Sequence, residues 1–304
     1  MKQSQILIRY GEIGLKAEYT RRQFTYHLKK NINQAFSQEN IPLEITIKRG
    51  RIFLYTDETR KSIEILKKIF GIVSFSSVWN SSSDLSKLTE DVLNLMKTRL
   101  TSQTSFALRV RRSGTHNYTS QEAAVHIGQA VCDHFYASVD LNRPDVELFI
   151  EIRDEQAFLF LEKVSGSGGL PYGTQGTICC VVKNKMDLLA SWFLMKRGCA
   201  IHFATFDQSL YDTTKDFLKK WYVDEEPILP SENDKRNIHA FLQNEIKKNH
   251  CEALCSGMSC QYDMKQLISK ITDLQEEYVL PILTPLIGKT EDEIRKNAQK
   301  VGIQ

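Results

Sequence analysis

The twelve residues from Ser165 to Gly176, SGSGGLPYGTQG, hold five glycines and a proline, and no regular helix or strand runs through such a stretch. They separate two halves with different element orders. After Gly176, short apolar runs alternate with amphipathic ones: ICCVV, a helix to Arg197, AIHFATF and a helix through Lys220. An apolar EEPILP follows, then a helix near 235–248, EALCSG, a helix near 263–275 and a last helix from Thr290. Strands that alternate with helices are joined by crossovers, which predicts a parallel sheet with helices on both faces. Ligands of such sheets sit beyond the carboxyl ends of the strands, where the turn VVKNK and the segment CSGMS both fall.

The first half reads differently. QILIRY (5–10) has the short apolar run of a buried strand. Phe24, Leu28, Ile32 and Phe36 recur every four residues and predict a helix over 20–36, with Arg21, Arg22, Lys29 and Lys30 outward. LEITIKRGRIFLYT (43–56) predicts two strands around KRGR, with Gly50 in the turn. SIEILKKIFGI (62–72) predicts a helix stopping at Gly71, and VSFSSVW (73–79) a further strand. This β-α-β-β-α order resembles a ferredoxin-like α+β unit. The polar SSSD (81–84) then leads into a helix to about Leu100, a strand FALRVRRS (106–113) and a helix over 120–135 capped by Ser120 or Thr119. VELFIEIR and AFLFLEKV form a hairpin around DEQ. The expectation is a multidomain α/β and α+β chain, with domains over 1–76, 77–166 and 167–304.

At 304 residues, with 41% hydrophobic and 25% charged residues, the chain has the composition of a soluble globular protein. MKQSQILIRYGE lacks the apolar region of a signal peptide, and no apolar run approaches a membrane span. Seven cysteines spread over this length do not form a disulfide framework. A reducing cytoplasm and no membrane partner are expected.

Residues 1–166 carry 23 basic and 19 acidic side chains, against 17 and 18 in the remainder. That bias permits nucleic-acid binding. KRGR places Lys48, Arg49 and Arg51 on a hairpin, and RVRRSGTHNY adds Arg109, Arg111, Arg112, His116 and Tyr118 at a strand end. Arginine pairs phosphate bidentately, and Tyr or His stacks on an unpaired base. Taken alone, such charge runs are ordinarily solvated faces. CEALCSGMSC holds Cys251, Cys255 and Cys260 beside His250. Its spacings match no standard zinc set. Persulfide carriage, a zinc or iron–sulfur site, and a role as small buried apolar residues stay open for this group. Cys179 and Cys180 read as core.

Four stretches together resemble one family. RYGEIGLKAEYTRRQF (9–24) resembles the amino-terminal signature of tRNA 4-thiouridine synthetases, also called tRNA sulfurtransferases, and GGLPYGTQG (168–176) their interdomain linker. LMKRG (194–198) and LPILTPLIGKTEDEI (280–294) resemble segments of their ATP pyrophosphatase domain. The resemblance keeps its order over essentially the whole chain. It implies a ferredoxin-like domain, a THUMP domain that grips tRNA near its 3′ end, and a parallel-sheet, Rossmann-like ATP pyrophosphatase domain. It adds Lys16 and Arg21, within the signature, to the RNA-binding candidates.

The family's catalytic loop, S-G-G-x-D-S, brings backbone N–H groups and a helix amino terminus to pyrophosphate. The matching residues here are Lys183, Asn184, Lys185, Met186, Asp187 and Leu188, of which Asp187 alone agrees. Lost or altered phosphate chemistry is the expectation. Carried over residue by residue, nucleotide contacts would fall on Val181, Val182, Phe206, Gly257 and Gln266, with ATP or AMP as the implied ligand and no iron–sulfur cluster or metal expected. Cys255 and Cys260 are the candidate sulfur carriers. The chain stops at Gln304, short of the family's terminal cysteine and rhodanese domain, so tRNA, a sulfur-donor protein or catalytic partner subunit, and a second copy are the partners the resemblance leaves open. The expected function is tRNA binding within the thiolation family; the alternative is a working ATP-dependent sulfurtransferase with a divergent loop and an external sulfur donor.

Overall fold

The computed structural model describes residues 5–48, 50–231, 234, 236–259 and 263–303; Arg49 and Cys260 therefore lie outside the described residues. Two compact units are assembled from interleaved stretches. The first comprises Met1–Arg9, Leu43–Ile63 and Ser74–Ser165; the second comprises Tyr10–Pro42, Glu64–Val73 and Gly166–Gln304.

The first unit is built on one long sheet. Its strands are β1 (Gln5–Tyr10), β2 (Glu44–Lys48), β3 (Arg51–Tyr55), β4 (Ile72–Ser82), β5 (Ser105–Ser113), β6 (Ser138–Val139), β7 (Val146–Arg153), β8 (Gln156–Phe160) and β9 (Val164–Ser165). They lie in the order β2-β3-β1-β4-β8-β7-β5-β6, with β9 on β4. The β2–β3 hairpin closes as the sequence predicts, pairing Lys48 with Arg51 around Gly50 at φ 75°. Strand β4 runs on to Ser82, three residues past the apolar pattern, because Ser81 and Ser82 pair with Ala157 and Gln156. A polar segment becomes strand when a partner satisfies its backbone. Helices α3 (Leu85–Met96) and α4 (Ser120–Phe135) cover one sheet face over Val92, Phe106, Ile127 and Leu148. Asp84 caps α3, and Thr119 with Glu122 forms a capping box at α4. The opposite face gathers Leu7, Phe53, Val78, Phe158 and Phe160.

The second unit contains α1 (Glu18–Gln38) and a four-stranded sheet ordered β11-β10-β12-β13, all parallel. Its strands are β10 (Thr177–Val181), β11 (Ala200–Ala204), β12 (Ala253–Cys255) and β13 (Ile282–Leu283). The helices are α5 (Lys185–Lys196), α6 (Gln208–Lys220), α7 (Ile238–Lys248), α8 (Met264–Tyr278) and α9 (Glu291–Val301). Alternate residues of β10 enter different cores: Ile178 and Cys180 pack with Leu188, Trp192 and Phe203, while Cys179 packs with Ile246, Cys251 and Leu254. A strand covered on both sides has no polar face, hence the unbroken ICCVV. Phe70 stacks on Trp221 at 5.4 Å, and Trp192 meets both rings edge-on. The helix expected over 62–72 is shorter: α2 spans Thr59–Leu66, and Ile69 and Phe70 follow it as buried residues of a turn ending at Gly71, φ 96°.

Candidate functional site

The first candidate lies beyond the carboxyl end of β10. The chain leaves Val181 through Val182, Lys183 and Asn184 and enters α5. Asn184 caps the helix by accepting from the Met186 N–H at 2.8 Å. Asp187, one turn in, reaches back: its Oδ2 accepts from the backbone N–H groups of Lys183 at 3.0 Å and Asn184 at 3.1 Å. Its Oδ1 accepts from the Gly257 N–H at 2.7 Å, across from the loop after β12. This carboxylate is buried and holds three backbone donors, the complement of an anion at a helix amino terminus.

Gly257 closes the remaining space. A Cβ there would lie 2.4 Å from the Met186 carbonyl carbon and 2.5 Å from the Asp187 nitrogen. Backbone thus packs on backbone there, and Lys183, Asn184 and Lys185 put side chains where the family's loop has a hydroxyl and two glycines, a poor fit for a pyrophosphate cradle. A cavity of about 670 Å³ opens beside this closed turn, lined among others by Val181, Phe206, Leu242, Leu254, Met258 and Tyr278, with Lys183 and Asp187 at one end. Its lining is mostly apolar, with a few polar groups at one end, as in ligand pockets of this size.

Of the residues matched to nucleotide contacts, Val181, Phe206 and Gly257 line this cavity. The Val182 side chain packs in the core with Ile178 and Cys180; the contact expected of it is one through its backbone. Gln266 is exposed on α8. Cys255 lines the cavity from the end of β12, with its thiol 3.7 Å from Ser191 Oγ. Sequence patterning missed Cys179, which is buried and also lines the cavity. A hydrogen bond from the Cys179 thiol holds the Cys251 thiol below its usual value, and Cys179 is itself pushed up by that bond and by burial. Next to Cys179 in register on β11 sits His202, 3.3 Å from Glu245 and 3.0 Å from Asn249. Burial lowers its pKa in spite of Glu245. Among the described residues no group of three or more His, Cys, Asp or Glu is placed to hold a metal.

The second candidate is on the first unit. Glu151 on β7, buried, accepts from Arg9 Nε at 3.2 Å, Arg51 Nε at 3.0 Å and Arg153 Nε at 2.7 Å. Burial raises its pKa, but Arg51, Arg9 and Arg153 together outweigh that and leave it low. Arg9 also donates to Ser76 Oγ at 3.0 Å and lies over the Phe160 ring at 4.5 Å, while its Nη2 is buried with no partner. Lys163 is pulled down first by burial and then by Arg9 and Arg111, a direct sign of a positive field. Five cations surround one carboxylate, and a cavity of about 390 Å³ lined by Arg9, Arg109, Arg111, Glu151, Phe160 and Lys163 opens here.

The structure therefore brings Arg51 and Arg111 together, from sequence regions sixty residues apart, and adds Arg9 and Lys163. The other candidates have local duties. Arg109 bonds Glu147 at 2.6 Å and the Leu141 carbonyl. Arg112 bonds the Gly114 carbonyl and His116, His116 lies 2.6 Å from the Asp154 carbonyl oxygen, and Tyr118 donates to the Ser83 carbonyl. Lys48 is exposed on β2, and Lys16 and Arg21 are exposed at the start of α1 in the second unit.

Residues 5–76 match the ThiI ferredoxin-like domain and residues 82–162 the THUMP domain. A "Probable tRNA sulfurtransferase" from Methanobrevibacter smithii is 32% identical over 99% of this chain and 87% of its own length. The chain belongs to the tRNA sulfurtransferase family. A second such relative, from Methanocaldococcus jannaschii, is 29% identical over 98% of the chain and 88% of its own length. Among solved structures, PH1313 from Pyrococcus horikoshii superposes with a TM-score of 0.83 at 27% identity, covering 98% of this chain and 99% of that one. A 4-thiouridine synthetase solved as an RNA complex with bound ATP shares the fold, with a TM-score of 0.74 at 22% identity over 99% and 86% of the two chains. No described helix is long and apolar enough to cross a membrane.

Proposed function

We propose that this protein is a tRNA-binding member of the tRNA sulfurtransferase family in which the ATP pyrophosphatase step has been given up. The carrying observation is the loop into α5, where Lys183, Asn184, Lys185 and Leu188 stand at the hydroxyl and glycine positions of the family's pattern and Asp187 alone agrees with it. Side chains at those positions take the space that glycines would leave for phosphate. Lys183 and Lys185 supply charge without a cradle. tRNA binding rests on the THUMP match, on the RNA bound in the solved 4-thiouridine synthetase, and on the cation surplus around Glu151. Phosphate contacts of this kind give affinity that falls steeply with salt.

A second reading keeps the chemistry: an ATP-dependent sulfurtransferase with a divergent loop, drawing sulfur from a donor protein. The cavity beside Val181 and Phe206 favours it, because the space there is ample for a nucleotide base. The test incubates the protein with unmodified tRNA and ATP, with and without sulfide, and measures bound tRNA together with AMP and pyrophosphate. Binding without either product supports the first reading. AMP release that vanishes in Asp187→Ala establishes the second. No tRNA binding at low salt removes both.

A further inference from the structure

Helix α1 buries one stripe, Phe24, Leu28, Ile32, Ala35 and Phe36. Its opposite side carries a second pattern that no core explains. Tyr19, Arg22, Tyr26 and Lys29 follow one another at steps of three, four and three residues, which aligns them along one face. Tyr19 is 75% exposed and Tyr26 64%, and Leu15, one turn before the helix, is 89% exposed. Between Leu15 and Lys30 five lysines and arginines stand against a single carboxylate, Glu18. Glu18 holds Arg22 at 2.5 Å in an exposed pair of the kind that is weak and readily exchanged.

We infer that this face of α1 is a stacking surface for an unpaired RNA strand, with Tyr19 and Tyr26 as the two platforms and the flanking cations on the phosphates. Large aromatic rings turned to solvent and interleaved with cations are the chemistry of sequence-tolerant single-strand binding. Seven helical residues separate the two rings by about 10 Å, roughly three times the ~3.4 Å rise of a stacked strand. A duplex cannot engage both rings, because its bases are stacked on one another. A splayed single strand can. The charge favours RNA over a second copy of this chain, since two such faces would place their cations together. The inference rests on the tRNA-binding reading and adds to it a contact surface on the second unit, separate from the cavity around Arg9.

The test measures binding of an unmodified tRNA by fluorescence anisotropy for the full chain, Tyr19→Ala/Tyr26→Ala, Tyr19→Phe/Tyr26→Phe and Lys163→Ala, with sedimentation velocity on each. Alanine at both positions should weaken binding by about fivefold or more, at the lower end of the alanine effect for one stacked base. Phenylalanine, which keeps the ring, should bind like the unsubstituted protein. Unchanged affinity in the double alanine variant, with loss in Lys163→Ala, overturns the stacking surface and leaves tRNA binding standing. A change of oligomeric state in the double alanine variant also overturns it, in favour of an interface between copies. An unsubstituted protein that binds no tRNA overturns both readings.

Discussion

Asp187 and Glu151 are each a buried carboxylate surrounded by three donors, and they have opposite consequences. Asp187 meets three neutral backbone N–H groups. One negative charge answers the positive end of α5, and the region closes on itself. Glu151 meets three guanidinium groups, with Arg111 and Lys163 close by. One negative charge among five positive ones leaves a surplus that faces a cavity. Donor type, more than donor count, decides whether the charge is balanced locally or left in surplus.

The largest expected effect breaks the Glu151 side. Glu151→Ala leaves Arg9, Arg51 and Arg153 without their shared carboxylate, and removing one partner from a buried ion-pair cluster costs about 3–5 kcal/mol. Urea unfolding of the variant should show that loss as a lower midpoint. On the other side, Asp187→Ala leaves the buried Gly257 N–H without an acceptor, at about 1–3 kcal/mol, while water can reach the part-buried Lys183 and Asn184 N–H groups. The same variant sharpens the comparison. Millimolar phosphate should raise its melting temperature by filling the vacated position, and should leave the unsubstituted protein unchanged. If phosphate stabilises both equally, the cradle was never closed by Asp187.

Gly257→Ala tests the backbone contact. Its Cβ would meet Met186 at 2.4 Å, and overpacking of that kind costs about 1–3 kcal/mol, read by the same unfolding measurement. Acid separates the two carboxylate settings further. Because the folded Glu151 carboxyl titrates below its ordinary 4.5, its contribution is complete above that value and is lost as pH falls through the folded pKa. Stability measured from pH 5 to pH 3 should fall more for the unsubstituted protein than for Glu151→Gln. The smallest effect is on binding: Lys163→Ala should reduce the salt dependence of tRNA affinity by about one unit of slope.

Much of the fold was readable locally. The 3.6-residue period of α1, the Gly50 turn, the Thr119 capping box and the unbroken ICCVV strand each depend on neighbours within a few residues. The alternation of strand and helix after Gly176 needed only the order of the elements. Elements settled by distant partners were misjudged. Strand β4 reaches Ser82 because β8, some seventy-five residues on, pairs with it, and α2 stops early where Ile69 and Phe70 turn into a core. Gln266 has the right spacing from Gly257 but faces solvent, since spacing along a chain does not set the rotation of α8.

The sequence by itself determined the family and the order of elements, because each is written in consecutive residues. Only the tertiary structure decided which groups each buried carboxylate holds. Asp187 touches Gly257 seventy positions away, and Arg9 touches Glu151 across one hundred and forty-two. A carboxylate reads the same in sequence whether it serves an enzyme, caps a helix or balances arginines. Its role is fixed by the donors that folding brings to its oxygens, and Gly257, Arg9 and Arg51 come from distant parts of the chain.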